Sequence, residues 1–198
     1  MNDVINSWDS FIDFLNWWRS IIKLEKFIIE LWNVLWNIHC ALWRINFADT
    51  SFNYNNRADI ILWDNNYSTS IIEELKKEKK QLILWDLSPK NIWINAKNNP
   101  VFFDLEHFWH WNCIFEVAFL LSHIYLHLYD LENNKAILNL FLDSYNKINK
   151  DFEVNNLFWK IFHSSIIYRV WIIPMKYDVN LSSNNIVRIK EESEDYLK

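Results

Sequence analysis

Apolar residues recur at helical spacing between residues 20 and 42: Ile21, Ile22, Leu24, Phe27, Ile28, Leu31, Leu35, Ile38 and Leu42. That period predicts a helix opening at Ser20 and closing at Trp43. A weaker helical period, Val4, Ile5, Trp8, Phe11, Ile12 and Leu15, predicts a helix over 4–19. Residues 44–66 are rich in Asn, Asp and Ser and predict an irregular connection. Ser70-Ile-Ile-Glu73 is a capping-box pattern and predicts a charged helix to about Lys80. The period then changes. Gln81-Leu-Ile-Leu84, Ile92-Trp-Ile-Asn95 and Val101-Phe-Phe103 are short apolar runs between polar turns, which predicts strands. The last two form a hairpin around Lys97-Asn98-Asn99-Pro100. Helical spacing returns over about 114–129, 133–149 and 155–170, and the acidic run at 191–195 reads as solvated. No repeat or flexible linker divides the chain, so residues 1–198 are expected to form a single α+β, mostly α-helical domain.

Composition narrows the class. The chain is 51% hydrophobic and 23% charged with net charge −5, and it lacks a basic stripe of the kind that engages nucleic acid. The start has neither a basic n-region nor an apolar h-region, and polar residues interrupt the most apolar run, at 114–129. No membrane partner and a cytoplasmic location are therefore expected. Cys40 and Cys113 make no disulfide framework and fit no zinc spacing, so both are expected as small buried residues. His123 and His127 share a helix face, but Ile124 stands where a zincin-type motif needs Glu.

One feature of the composition is abnormal: there is no glycine, and there are 13 tryptophans. At ordinary usage roughly fourteen glycines are expected, and drawing none has odds on the order of one in a million. Several tryptophans stand where glycine usually serves: Trp43 after a helical run, Trp63 in Trp-Asp-Asn-Asn, and Trp109 and Trp111 around His110 in what reads as a polar loop. Ile, Asn, Lys and Phe are abundant, as in an AT-rich coding sequence. Two readings stand: a codon meaning glycine in the source is written here as tryptophan, or the protein is genuinely rich in tryptophan. The first predicts tryptophans at turns and helix ends.

The chemistry concentrates in Leu84-Trp85-Asp86-Leu87-Ser88-Pro89-Lys90-Asn91, followed by Val101-Phe-Phe-Asp104-Leu-Glu106. An aspartate, an asparagine five positions later and a second aspartate closing a short strand form the kinase arrangement of catalytic loop and metal-binding aspartate. Phosphoryl transfer needs these types at this spacing. Asp86 orients or accepts the proton of an attacking hydroxyl, while Asn91 and Asp104 offer hard oxygen ligands for Mg²⁺ against the nucleotide phosphates. The hairpin between them brings the two segments to one metal. Ser88 and Lys90, inside the loop, are the cofactor-binding candidates. Lys90 is able to approach phosphate, whereas Ser88 has no adjacent base that would make it a nucleophile.

These residues resemble the aminoglycoside phosphotransferase and choline kinase-like family, whose members usually read His-Gly-Asp-x-x-x-x-Asn and then an apolar strand ending in Asp. Leu84-Trp85-Asp86 stands for His-Gly-Asp, so the histidine is missing and Trp85 takes the glycine position. Leu31-Trp32-Asn-Val-Leu35-Trp36-Asn-Ile-His39 resembles the family's Leu-Gly-x-x-Leu-Ala-x-Leu-His helix. The run from Trp109 through Glu116 to Ser122 resembles Gly-x-Gly-Asp-Pro-x-x-Asp-Leu-Ala-x-Leu-Leu, with Glu116 at the usual Asp. Arg169-Val170-Trp171 loosely resembles a later element, so the likeness covers about residues 20–175. It implies a protein kinase-like C-terminal lobe with a small β-hairpin at the catalytic site. It also implies Mg²⁺ and ATP as cofactors, a small-molecule hydroxyl acceptor, and a substrate- or metal-proximal role for Glu106. The family's β-rich nucleotide lobe, with its phosphate-covering loop and paired lysine, has no counterpart before Leu31, so a separate nucleotide-binding lobe is an expected partner. The alternative is a non-catalytic pseudokinase remnant or binding module that has lost its ATP lobe.

Overall fold

The computed structural model describes residues 9–10, 21–45, 68–84, 87, 91–95, 97, 99–103, 108–129, 134–150, 152–172 and 182–197. Helix α1 (Ile21–Trp43) turns Phe27, Ile28, Leu31, Leu35 and Leu42 inward, as its period predicts, and buries Trp32 and His39 beside them. It ends at Trp43, which is 46% exposed, where Arg44 and Ile45 donate back to the carbonyls of Ala41 and Leu42. Helix α2 (Ser68–Leu75) starts ahead of the Ser70 capping box and stops short of Lys80, in a turn closed by the Lys76 amide on the Ile72 carbonyl.

Two small antiparallel sheets follow. Strand β3 (Ile92–Ile94) pairs with β4 (Pro100–Phe102) in the register Ile92↔Phe102, Trp93↔Val101 and Ile94↔Pro100, so Pro100 lies in the strand instead of the turn. The Asn95 side-chain oxygen closes that turn by accepting the amides of Lys97 and Asn99. Strand β2 (Gln81–Leu84) pairs with β5 (Phe108–Trp111), from Gln81↔Trp111 to Leu84↔Phe108. His110 and its flanking tryptophans, expected as a polar loop, lie in β5. They form a strand because β2 offers a row of backbone donors and acceptors that must be paired. Likewise, a helix was expected over 4–19, yet β1 (Asp9–Ser10) is extended and pairs with Ile94 and Trp93 on the open edge of β3.

Helix α3 (Cys113–Leu128) is buried almost all round and forms the centre of the molecule. Helix α4 (Asn134–Ile148) packs on α1, and α5 (Asn156–Ile167) packs on α3. Asn155 caps α5 by accepting the Phe158 amide at 3.1 Å, and the helix runs on into a π turn at Tyr168–Ile172. Helix α6 (Ser183–Leu197) contains the acidic run. Its charges face water, but Ile189, Ser193 and Leu197 are buried at a four-residue spacing, and the helix packs on α5. The described residues are thus mostly helical with two small antiparallel sheets, as expected for α+β. Among the described residues no helix is long and apolar enough to cross a membrane.

The tryptophans only partly follow the expectation of turns and helix ends. Trp43 ends α1, but Trp36 and Trp159 lie inside helices and Trp32 is wholly buried, edge-on to Tyr145 with ring centroids 4.7 Å apart. The buried Trp32 indole nitrogen nevertheless has no hydrogen-bond partner, an unusual state for tryptophan. Peptide mass spectrometry on protein from its native source is expected to read glycine at Trp32, Trp43 and Trp85. Tryptophan there would establish the tryptophan-rich sequence as genuine.

Candidate active site

Strand β2 carries the chain into the Asp86 segment with Leu82, Ile83 and Leu84 buried, and beyond it Leu87 is 1% exposed. Asn91 is half-buried at the foot of the hairpin, where its carbonyl accepts the Phe103 amide at 2.8 Å. The hairpin therefore gains one pairing beyond Ile92↔Phe102. It brings Asn91 against the residue that covalently precedes Asp104. Asp86, Ser88, Lys90, Asp104 and Glu106 lie outside the described residues, and among the described residues no group of three acidic, Cys or His side chains is arranged to hold a metal ion.

Behind β2 lies a buried polar chain whose connectivity the sequence did not reveal. His39 stands on the inward stripe of α1 and Glu116 in the first turn of α3; both are almost inaccessible, at 1% and 2% exposed. Their side chains meet, with His39 Nε2 and Glu116 Oε2 2.8 Å apart. The other carboxylate oxygen, Oε1, accepts the Leu84 amide at 3.2 Å. Glu116 thus fastens the end of β2 that leads to Asp86. Tyr145 of α4 sets its hydroxyl 3.3 Å from His39 Nδ1, and Asn149 donates to that hydroxyl at 3.5 Å. Gln81 donates to the His39 carbonyl at 3.4 Å and holds the other end of β2 to α1.

A signal for this chain was present in the sequence. His39 and Glu116 are polar residues at positions the apolar periods assign to the core, and two such residues are stable there only with partners. Nothing local in the sequence says that they touch. His123 and His127 are ring neighbours on α3, with centroids 5.1 Å apart and His123 fully buried. Cys40 and Cys113, expected as buried, are only partly so.

The electrostatics of the chain follow from its burial. Desolvation alone would lower the His39 pKa, but the Glu116 carboxylate, together with hydrogen bonding of the imidazolium to Cys113 and Glu116, outweighs it and raises the value to about 10. His39 is therefore an imidazolium at neutral pH. His163 of α5 behaves oppositely: burial lowers its pKa to about 4, so its ring is neutral beside Ser193 and stacked on Tyr196. The stability contributed by His39 is complete below its unfolded value near 6.5 and is lost as pH rises towards about 10. That of His163 is complete above 6.5 and is lost as pH falls through about 4. Urea unfolding between pH 4 and 10 is expected to show a maximum of stability near pH 6.5, and a monotonic profile would contradict these two assignments. Comparison of the chain with protein-family models, with curated proteins and with solved structures finds no match in any of the three.

Proposed function

We propose that the chain is the catalytic lobe of a small-molecule kinase, transferring the γ-phosphoryl group of ATP to a hydroxyl of a small metabolite or amino sugar. The observation that carries this reading is the foot of the hairpin, where the Asn91 carbonyl and the Phe103 amide pair at 2.8 Å. A metal shared by an Asn before one strand and an Asp after the next needs those two strand ends side by side. The bond from the Leu84 amide to Glu116 supports it further, because a loop that carries a catalytic base works only if its stem is fixed.

On this reading Asn91 and Asp104 would hold Mg²⁺, whose charge offsets that of the phosphates when it is bound. Asp86 orients the acceptor hydroxyl and takes its proton as the oxygen attacks the γ-phosphorus. The bond from that phosphorus to the ADP oxygen breaks, and ADP leaves with the electron pair. The same reading assigns Lys90 and Ser88 to the phosphates and Glu106 to the metal or the acceptor. No described strand carries a lysine, so the reading assigns the phosphate lysine and adenine pocket to a nucleotide-binding lobe outside the described residues. Residues 1–198 alone are expected to turn over slowly.

The test is ADP release with ATP, Mg²⁺ and a panel of amino-alcohol, choline-like and sugar acceptors. It is run on residues 1–198 and on the same chain joined to a nucleotide-binding lobe. Acceptor-dependent turnover by the joined protein supports the kinase. ATP and acceptor binding without turnover would instead favour the non-catalytic remnant.

A further inference from the structure

The polar chain behind β2 starts on α4. Tyr145 is fully buried there, and its ring stands edge-on to Phe152 with centroids 4.7 Å apart. A ring packed in this way has little room to turn, so its hydroxyl is aimed at one place, 3.3 Å from His39 Nδ1. Asn149, one helical turn on, donates to the same hydroxyl at 3.5 Å. Burial raises the Tyr145 pKa well above its usual value, so the phenol keeps its proton, and His39 is an imidazolium. The His39 Nδ1–H therefore donates and the phenol oxygen accepts.

The His39 ring has two ways to leave Glu116: it turns over, or it gives up a proton. The hydroxyl opposes both. It fixes Nδ1 on the α4 side, which leaves Nε2 at 2.8 Å from Glu116 Oε2, and it accepts only while Nδ1 carries hydrogen. Glu116 keeps its other oxygen on the Leu84 amide, two residues before Asp86. A loop is placed accurately only when the side chains that hold its stem are themselves locked, and Tyr145 locks His39 from the side that Glu116 does not reach.

We propose that Tyr145 is a positioning residue for the Asp86 segment, acting through His39 and Glu116 on the Leu84 amide. Its consequence for turnover rests on the kinase reading, whereas its consequence for the Leu84 amide does not. Without the hydroxyl a charged, buried N–H has no acceptor, the ring samples other orientations, and the Glu116 carboxylate is no longer held against β2.

The experiment uses Tyr145→Phe in the full chain, which keeps the ring and removes only the hydroxyl. Phe141→Leu is the comparison, because Phe141 is equally buried on α4 but has no polar atom to give to the chain. Hydrogen exchange at the Leu84 amide, referred to global unfolding, is expected to be about tenfold faster in Tyr145→Phe than in the parent. The NMR titration midpoint of His39 should fall, since the imidazolium has lost an acceptor. Phe141→Leu should lower the urea midpoint and move neither readout. In the protein joined to a nucleotide-binding lobe, Tyr145→Phe should lower kcat about tenfold with KM for ATP and acceptor unchanged. Unchanged Leu84 exchange or an unchanged His39 titration in Tyr145→Phe overturns the proposal, as does an equal response in Phe141→Leu. If both readouts respond and no joined protein turns over, Tyr145 positions the stem and it is the kinase reading that fails.

Discussion

Glu116→Ala is expected to lower the free energy of unfolding by roughly 3–5 kcal/mol, the usual result of breaking a buried ion pair from one side. The substitution strands two groups at once. The His39 imidazolium loses the carboxylate that outweighs its desolvation and must deprotonate, and the amide of the buried Leu84 loses its side-chain acceptor. The double variant His39→Leu with Glu116→Leu should recover a large part of the loss, since replacing both partners removes the stranded charge. A glutamine at 116 keeps an oxygen for the Leu84 amide but no charge for His39. It should therefore fall between the two and should bring the His39 titration back towards 6.5. Urea midpoints for the four proteins, with NMR titration of His39, measure this. A loss below about 1 kcal/mol for Glu116→Ala would mean that the pair behaves as an exposed one.

Asp86→Ala should reduce acceptor-dependent turnover of the lobe-complemented protein by roughly 10²–10⁴-fold, the range for a group that handles a proton in the transition state. The loss should fall on kcat, with KM for ATP little changed, because Asp86 is assigned to the hydroxyl and not to the nucleotide. Asp104→Ala should lose turnover too, but with a raised Mg²⁺ requirement, since its assigned role is to hold the metal. In residues 1–198 alone Asp86→Ala should change little, because phosphoryl transfer depends mainly on positioning and the proposal assigns the ATP clamp to another lobe. Turnover by residues 1–198 that is fast and dependent on Asp86 would contradict the assignment of the nucleotide site to another lobe. Turnover of the complemented protein that survives Asp86→Ala would remove Asp86 from the chemistry.

The long helices and the Ile92–Phe102 hairpin are legible in the local pattern of residues. Their signals are local: an apolar residue each turn, or two short apolar runs across an Asn-rich turn, dictate which face is buried wherever the segment sits. The sequence also offered Asp86, Asn91 and Asp104 as candidates, because residue spacing is a property of the chain. The pairing of Asp9 and Ser10 with β3, and of Phe108–Trp111 with β2, follows from the packed fold. Neither segment adjoins its partner across a short turn, so each becomes a strand only where a distant edge pairs it. The acidic C-terminal segment was legible as charged, but its buried stripe of Ile189, Ser193 and Leu197 became visible only against α5. The same holds for His39 and Glu116, 77 positions apart. Each could be recognised alone as a polar residue on an apolar face. Their contact depends on how α1 and α3 pack, which is set by the summed shape of many side chains and not by any one segment.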